Sequence, residues 1–149
     1  MKDKIFLIDS NILVYAYDKS FKGKHEASKR LINKCFSGKE YYALSLQNLS
    51  EFFVIVTRKI KIPINNLNAR NIIYKMLNIP EWIILQPKET TIIKAIDISI
   101  EFNVNYYDAL IAATMYENGI FNIYTEDEAF KKIKWMNVVN PFKKERKGN

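Results

Sequence analysis

Apolar residues follow two rhythms along this chain, and their alternation predicts its elements. Residues 4–8, Lys4-Ile-Phe-Leu-Ile8, are an almost continuous apolar run, suited to a strand buried on both faces. Asp9-Ser-Asn11 follows, and residues 12–17 are an apolar helical stretch. Over 25–36 the apolar positions Ala27, Leu31, Ile32, Cys35 and Phe36 recur at helical spacing, and Gly38 provides a C-terminal stop. Residues 41–45 read as a second strand, and 46–60 as a long apolar helix that Pro63 breaks. A helix over 66–77 ends before Pro80, and a strand over 82–85 is closed by Pro87. Residues 89–102 are helical, with Ile92, Ile93, Ile96 and Ile100 on one side. A short alanine-rich helix over 108–117 is stopped by Gly119, and strands follow at 121–124 and 138–139.

Strands that alternate with helical stretches imply a layered α/β domain with a mainly parallel sheet. No repeat, low-complexity linker or second domain interrupts the pattern. Residues 1–142 read as one domain and 143–149, Lys143-Lys-Glu-Arg-Lys-Gly-Asn149, as a solvated basic tail. In open parallel sheets a site lies beyond the carboxyl ends of the strands. That rule points to Asp9, directly after the first strand, and to Thr125-Glu-Asp127, directly after the strand at 121–124.

Charge and composition narrow the chemistry. The 149 residues carry a formal net charge of +7, which favours polyanionic partners and says nothing about fold. Lys19, Lys22 and Lys24 flank one early loop, while Arg58, Lys59 and Lys61 end one helix; these are candidate phosphate contacts, with a merely solvated surface as the alternative. No apolar run approaches the roughly 20 residues that span a bilayer, and the apolar start is too short for a signal peptide. A soluble, cytoplasmic protein is the expectation, and the single Cys35 fits a reducing compartment. One His and one Cys cannot build a zinc site, nor most copper, haem or iron–sulfur sites. Metal chemistry here would use oxygen ligands and therefore hard cations such as magnesium or manganese. His25 reads as a surface residue at a helix start, with no nucleophile motif beside it.

Four acids stand out. Asp9 ends a strand and precedes a helix, where capping alone would explain it. Glu51 lies on the 46–60 helix between a stripe of Leu49, Phe52, Phe53 and Val56 and a second side covered by Val54 and Ile55. A carboxylate in such apolar surroundings needs a cation or a proton, or else reaches towards Arg58 at the surface. Asp108 opens the helix Ala109-Leu-Ile-Ala-Ala-Thr, whose small residues permit close approach to the sheet; a favourable charge at a helix N-terminus is the plainer account. Asp127 sits between Glu126 and Glu128, where solvated charge is the default for its neighbours.

Together these segments resemble the PIN-domain family. The carriers are Leu7-Ile-Asp9-Ser-Asn11, Ser50-Glu51-Phe52, Tyr107-Asp108-Ala-Leu-Ile-Ala-Ala113 and Thr125-Glu-Asp127, in the family's order, within a span from Ile5 to about Val139. The resemblance implies a PIN-like, Rossmann-like sandwich: a central, mainly parallel sheet flanked by helices. It implies Asp9, Glu51, Asp108 and Asp127 converging on one or two Mg2+ or Mn2+ ions to hydrolyse RNA. Asp9 and Asp108 are then the principal ligands, Glu51 a ligand or water-positioning base, and Asp127 the holder of a second ion or of a water. Ser10, Asn11 and Thr125 would orient the carboxylates, and Glu126 or Glu128 would assist Asp127 or replace it. In-line attack by water would leave a 5′-phosphate and a 3′-hydroxyl.

The one-domain form looks like the VapC toxins of toxin–antitoxin pairs, which dimerise and are silenced by a small VapB partner. A PIN ribonuclease of RNA processing, or a non-catalytic PIN-like module that binds RNA or protein, remains the alternative. Leu31, Phe36 and Phe53 are candidates for a partner groove, with burial in the core as the commoner fate. Tyr15, Tyr17, Tyr106 and Tyr107 are candidates to stack on bases, with packing as the commoner use. Asn11 stands where a HAD-type phosphatase needs an Asp, a single acid ends the first strand where a receiver domain needs a pair, and no glycine-rich phosphate loop is present.

Overall fold

The computed structural model describes residues 5–143. Five parallel strands form one sheet in the order β3-β2-β1-β4-β5, from β1 (Phe6–Ile8), β2 (Tyr42–Ser45), β3 (Trp82–Leu85), β4 (Asn122–Tyr124) and β5 (Asn137–Val139). Six helices connect them: α1 (Ser10–Tyr15), α2 (Lys22–Phe36), α3 (Leu46–Arg58), α4 (Asn66–Asn78), α5 (Glu89–Phe102) and α6 (Tyr106–Glu117). A 3-10 turn, Glu128–Lys132, precedes β5. Each strand-to-strand crossover carries helical chain, as parallel pairing demands. The basic tail at 143–149 lies outside the described residues apart from Lys143.

The sheet separates two apolar cores. Ile8, Tyr42 and Leu44 face one layer with α1 to α4, where Phe52, Leu13 and Met76 are fully buried. Leu7, Ala43 and Ile123 face the other with α5, α6 and the 3-10 turn, where Met115 and Phe130 are fully buried. Neighbouring strand residues point to opposite faces, so an apolar run such as Phe6–Ile8 feeds both cores. In α6, Ala109, Ala112 and Ala113 have no exposure at all, and the helix packs closely against α5.

Several elements differ from the expectations in their ends. α1 begins at Ser10 because Asp9 caps it, and α2 begins at Lys22, which puts His25 inside the helix with Nδ1 2.9 Å from the Tyr15 carbonyl. α6 begins at Tyr106, not at Asp108; the Asn105 side chain caps it by accepting from the Tyr107 N–H at 2.8 Å, so Asp108 lies within the first turn. α3 is not enveloped, since Val54 is 45% exposed. On α5 the isoleucine side faces outward, and Thr91, Ala95 and Ile98 make the buried contact. Leu31 is buried, while Phe36 packs edge-on against Trp82. Gly38 ends α2 at φ +77°, a left-handed value open to glycine. No helix among the described residues is long and apolar enough to cross a membrane.

Candidate active site

The strand order reverses at β1: the chain winds outward through β2 and β3, then returns to place β4 on the other side. A crevice opens beyond the carboxyl ends at such a point. Asp9 leaves β1 there, and its backbone N–H bonds the Tyr124 carbonyl of β4 at 3.0 Å. The side chain is 5% exposed and fully engaged. Oδ1 accepts from the Ser10 N–H at 2.8 Å and from Asn48 Nδ2 at 3.2 Å. Oδ2 accepts from Thr125 Oγ1 at 2.7 Å and Asn11 Nδ2 at 3.3 Å. Burial nevertheless pushes the carboxyl up to about 6; the Thr125 and Ser10 bonds pull it down, and the charges of Glu51 and Asp108 add to the rise.

The other acids connect to Asp9 through its neighbours. Ser10 Oγ donates to Glu51 Oε2 at 2.8 Å, and Gln47 Nε2 donates to Glu51 Oε1 at 2.9 Å. Gln47 Nε2 also donates to the Tyr107 carbonyl at 3.1 Å, tying α3 to the first turn of α6 beside Asp108. Thr125 Oγ1 accepts from the Asp127 N–H at 3.0 Å and from Asn11 Nδ2 at 3.1 Å. Asp127 caps the 3-10 turn, its Oδ1 accepting from the Ala129 N–H at 2.9 Å. Asp108 is half-buried; burial first, and then the charges of Asp127 and Glu51, raise it to about 6. Asp9 thus feels the charges of Glu51 and Asp108, and Asp108 those of Glu51 and Asp127.

Asn48 and Gln47 are site residues that the sequence patterns above do not mark. Asn48 completes a capping box with Ser45, accepting at Oδ1 from the Ser45 N–H at 3.2 Å, which leaves Nδ2 for Asp9. The available signal was spacing: Asn48 and Gln47 precede Glu51 by three and four positions and share its helical face.

Glu126 and Glu128 do not turn towards the four acids. Glu126 binds Lys24 Nζ at 2.8 Å and accepts from the Tyr15 hydroxyl at 2.5 Å. Glu128 pairs with Lys131 and Lys143, each at 2.7 Å. Tyr15 packs edge-on against Phe21 and Phe142, and Tyr17 against Phe52. Tyr106 packs edge-on against Tyr107, which is 64% exposed.

Every candidate donor in the crevice is oxygen, the chemistry of a hard divalent cation. Such a cation would offset both the burial and the mutual repulsion that raise Asp9 and Asp108. Gln47 Oε1, buried and without a hydrogen-bond partner, is a further unused acceptor beside Glu51. Among the described residues, no group of three or more acidic, His or Cys side chains stands in an arrangement that could hold a metal ion as it is.

Residues 6–136 match the PIN domain family. The chain belongs to that family. No curated protein sequence matches it. Its fold is similar to VapC20 of Mycobacterium tuberculosis, described as a Sarcin-Ricin loop cleaving toxin, at TM-score 0.66 and 17% identity over 85% of this chain and 92% of that one. VapBC2 from Rickettsia felis, bound to a DNA fragment from its promoter, aligns at TM-score 0.64 and 18% identity over 91% and 98%. FitAB bound to an IR36 DNA fragment aligns at 0.71 and 16% over 97% and 100%. At these identities the likeness is one of fold. PIN domains are nucleases, so family membership supports a hydrolase of nucleic acid for this PIN domain.

Proposed function

We propose that this PIN domain is an endoribonuclease dependent on Mg2+ or Mn2+, and the toxin member of a VapBC-type pair. One observation carries the reading. The buried Asp9 carboxylate is linked through Ser10 to Glu51 and through Thr125 to the backbone of Asp127, while Asp108 feels the charges of Asp127 and Glu51. Two carboxyls raised by burial and by neighbouring acids, Asp9 and Asp108, at the end of a parallel sheet suit a divalent cation, which in turn would hold phosphate.

In this reading Asp9 and Asp108 would hold the cation, with Glu51 and Asp127 as further ligands. When bound, the cation acidifies the attacking water and neutralises charge that builds on the phosphoryl oxygens. The chain's own part is preorganisation. Asn48, Asn11, Thr125 and the Ser10 N–H fix both oxygens of Asp9, so its orientation costs nothing at the moment of reaction. Gln47 holds Glu51 from the side opposite Ser10, leaving that carboxylate fixed as a base for water on the way to a 5′-phosphate product. RNA as substrate, a small antitoxin and a homodimer belong to the same proposal, supported by family membership and by neighbours solved as toxin–antitoxin complexes.

The test is cleavage of a structured RNA and of an unpaired RNA, with and without Mg2+ or Mn2+. Cutting is expected to need the ion, to leave 5′-phosphates and to fall by about 10³-fold in Asp9→Asn. Activity undiminished by chelation, or by that substitution, overturns the reading.

A further inference from the structure

A trough leads away from the acids. It starts at a cavity lined by Glu51, Ile55 and Lys59. It continues through one of about 560 Å³ lined by Asn11, Tyr15, Phe21, Ile55, Lys59 and Lys61. A third, of about 640 Å³, shares Asp18, Ser20 and Lys61 with the second and adds Lys19. Ile55 and Lys59 line the first and second cavities alike, so the three adjoin in a row, and Asn11, which binds both Asp9 and Thr125, lines the second.

We infer that an unpaired RNA strand reaches the acids along this trough, its phosphates on Lys59, Lys61 and Lys19 and a base against Phe21. This inference rests on the nuclease reading above and adds the path of the substrate. Charge argues for it first. Lys24, Lys131 and Lys143 are tied up in ion pairs, whereas Lys19, Lys59 and Lys61 are exposed and have no ion-pair partner among the described residues. The acid in the two larger cavities, Asp18, is buried, and its Oδ1 accepts from the Ser20 N–H. The trough therefore carries excess positive charge next to a crevice that would otherwise repel a polyanion.

The floor argues for an unpaired strand. It is apolar, with Val14 and Ile55, and Phe21 stands at its edge 51% exposed, its ring held edge-on against Tyr15 at 5.5 Å. Bases in a duplex hide their faces, while a single strand can lay one against an aromatic ring.

Binding to the Asp9→Asn chain separates this path from cleavage. A short, fluorescently labelled, unpaired RNA is titrated at several salt concentrations. Lys59→Ala with Lys61→Ala is expected to weaken binding about tenfold and to lower the salt slope by about 1.4, at ~0.7 per single-strand phosphate contact. Phe21→Ala is expected to weaken it at least about fivefold with the salt slope unchanged. The double Lys→Arg variant restores binding, which excludes a folding defect. Lys94→Ala, whose ammonium lies over Tyr116 on the α6 side of the sheet, leaves binding unchanged. Equal binding with and without the two lysines, or an equal loss from Lys94→Ala, overturns the proposal and leaves the trough to a protein partner. If the unsubstituted chain cuts no RNA yet binding still depends on Lys59 and Lys61, the nuclease reading fails and the path stands.

Discussion

Glu126 and Glu128 lie one residue either side of Asp127, yet their surroundings are the reverse of those around Asp9. Lys24 and the Tyr15 hydroxyl hold Glu126, and their bonds outweigh burial, so its carboxyl sits below the ordinary range. Bonds from Lys131 and Lys143 pull Glu128 down to about 2. Asp9 and Asp108 are pushed up to about 6, by burial first and by fellow carboxylates after it. No lysine or arginine is paired with Asp9, Glu51, Asp108 or Asp127 among the described residues. The difference teaches where cations come from: the chain supplies them to one group of acids and none to the other, which under the proposed function takes its cation from outside.

Breaking the unpaired group should have the largest effect. Asp9→Asn or Asp108→Asn is expected to cut RNA cleavage by about 10³-fold, the several kcal/mol that charge stabilisation by a metal supplies. Glu128→Gln is expected to leave the rate unchanged, because that side chain points to Lys131 and Lys143. Single-turnover cleavage at saturating protein measures both. Equal losses from the two substitutions would erase the distinction.

The two groups should also pull stability in opposite directions with pH. Asp9 takes up its proton near 6 when folded and near 3.8 when unfolded, so the folded chain holds more protons between those values. Stability without metal is then expected to fall as pH rises from about 4 to about 6 and to level off above that. For Asp9 the loss is on the order of 3 kcal/mol at most; Asp108, half in solvent, adds less. Glu126 and Glu128, depressed on folding, contribute stability above their unfolded range that is lost as pH falls through their folded values. Denaturant melts across this range should show the fall towards neutrality, and Mg2+ or Asp9→Asn should flatten it. A metal-free profile that rises steadily to pH 7 would contradict the burial of an unpaired acid.

A smaller effect is expected from the residues that hold Asp9. Asn48→Ala and Thr125→Val each remove a donor to one oxygen and leave every acid in place. Loss of such an orienting partner commonly costs about 10–100-fold in metal affinity or activity. Titration with Mn2+ should show the weakened affinity. Asn48→Asp should not rescue it, because a second carboxylate would face Asp9.

Part of this arrangement was legible in the sequence, and the illegible part has physical causes. The apolar runs at β1 and β3, and helix stops such as Gly38, were readable because period and turn chemistry act locally. The start of α6 was not, since Asn105 and Asp108 are both good caps and only packing chooses between them. The outward turn of Ile92, Ile93, Ile96 and Ile100 was hidden because α5 is apolar on most sides, and Ala95 and Thr91 let it sit closer to α6 than an isoleucine would. The bond from Asn48 to Asp9 spans 39 positions, a distance over which no local pattern operates. The opposite fates of Glu126 and Asp127 depend on Lys24, 102 positions from Glu126.

That last pairing gives the finest test of the comparison. Lys24→Met keeps most of the stem but removes the ammonium that pairs with Glu126 and lies over the Tyr15 and Phe142 rings. The pair is partly exposed, so its contribution to stability is expected to be within about 1 kcal/mol. The informative readout is elsewhere. Freed of Lys24, Glu126 keeps only the Tyr15 hydroxyl as partner and adds an uncompensated charge to the chain segment that carries Asp127. Mn2+ affinity is then expected to rise slightly, by about twofold to threefold at low ionic strength, and the gain to vanish in high salt. The double change Lys24→Met with Glu126→Gln should return the affinity to its starting value. A gain that persists in the double variant would place its origin in the lost ammonium itself, and Glu126 would then have no part in the field at the crevice.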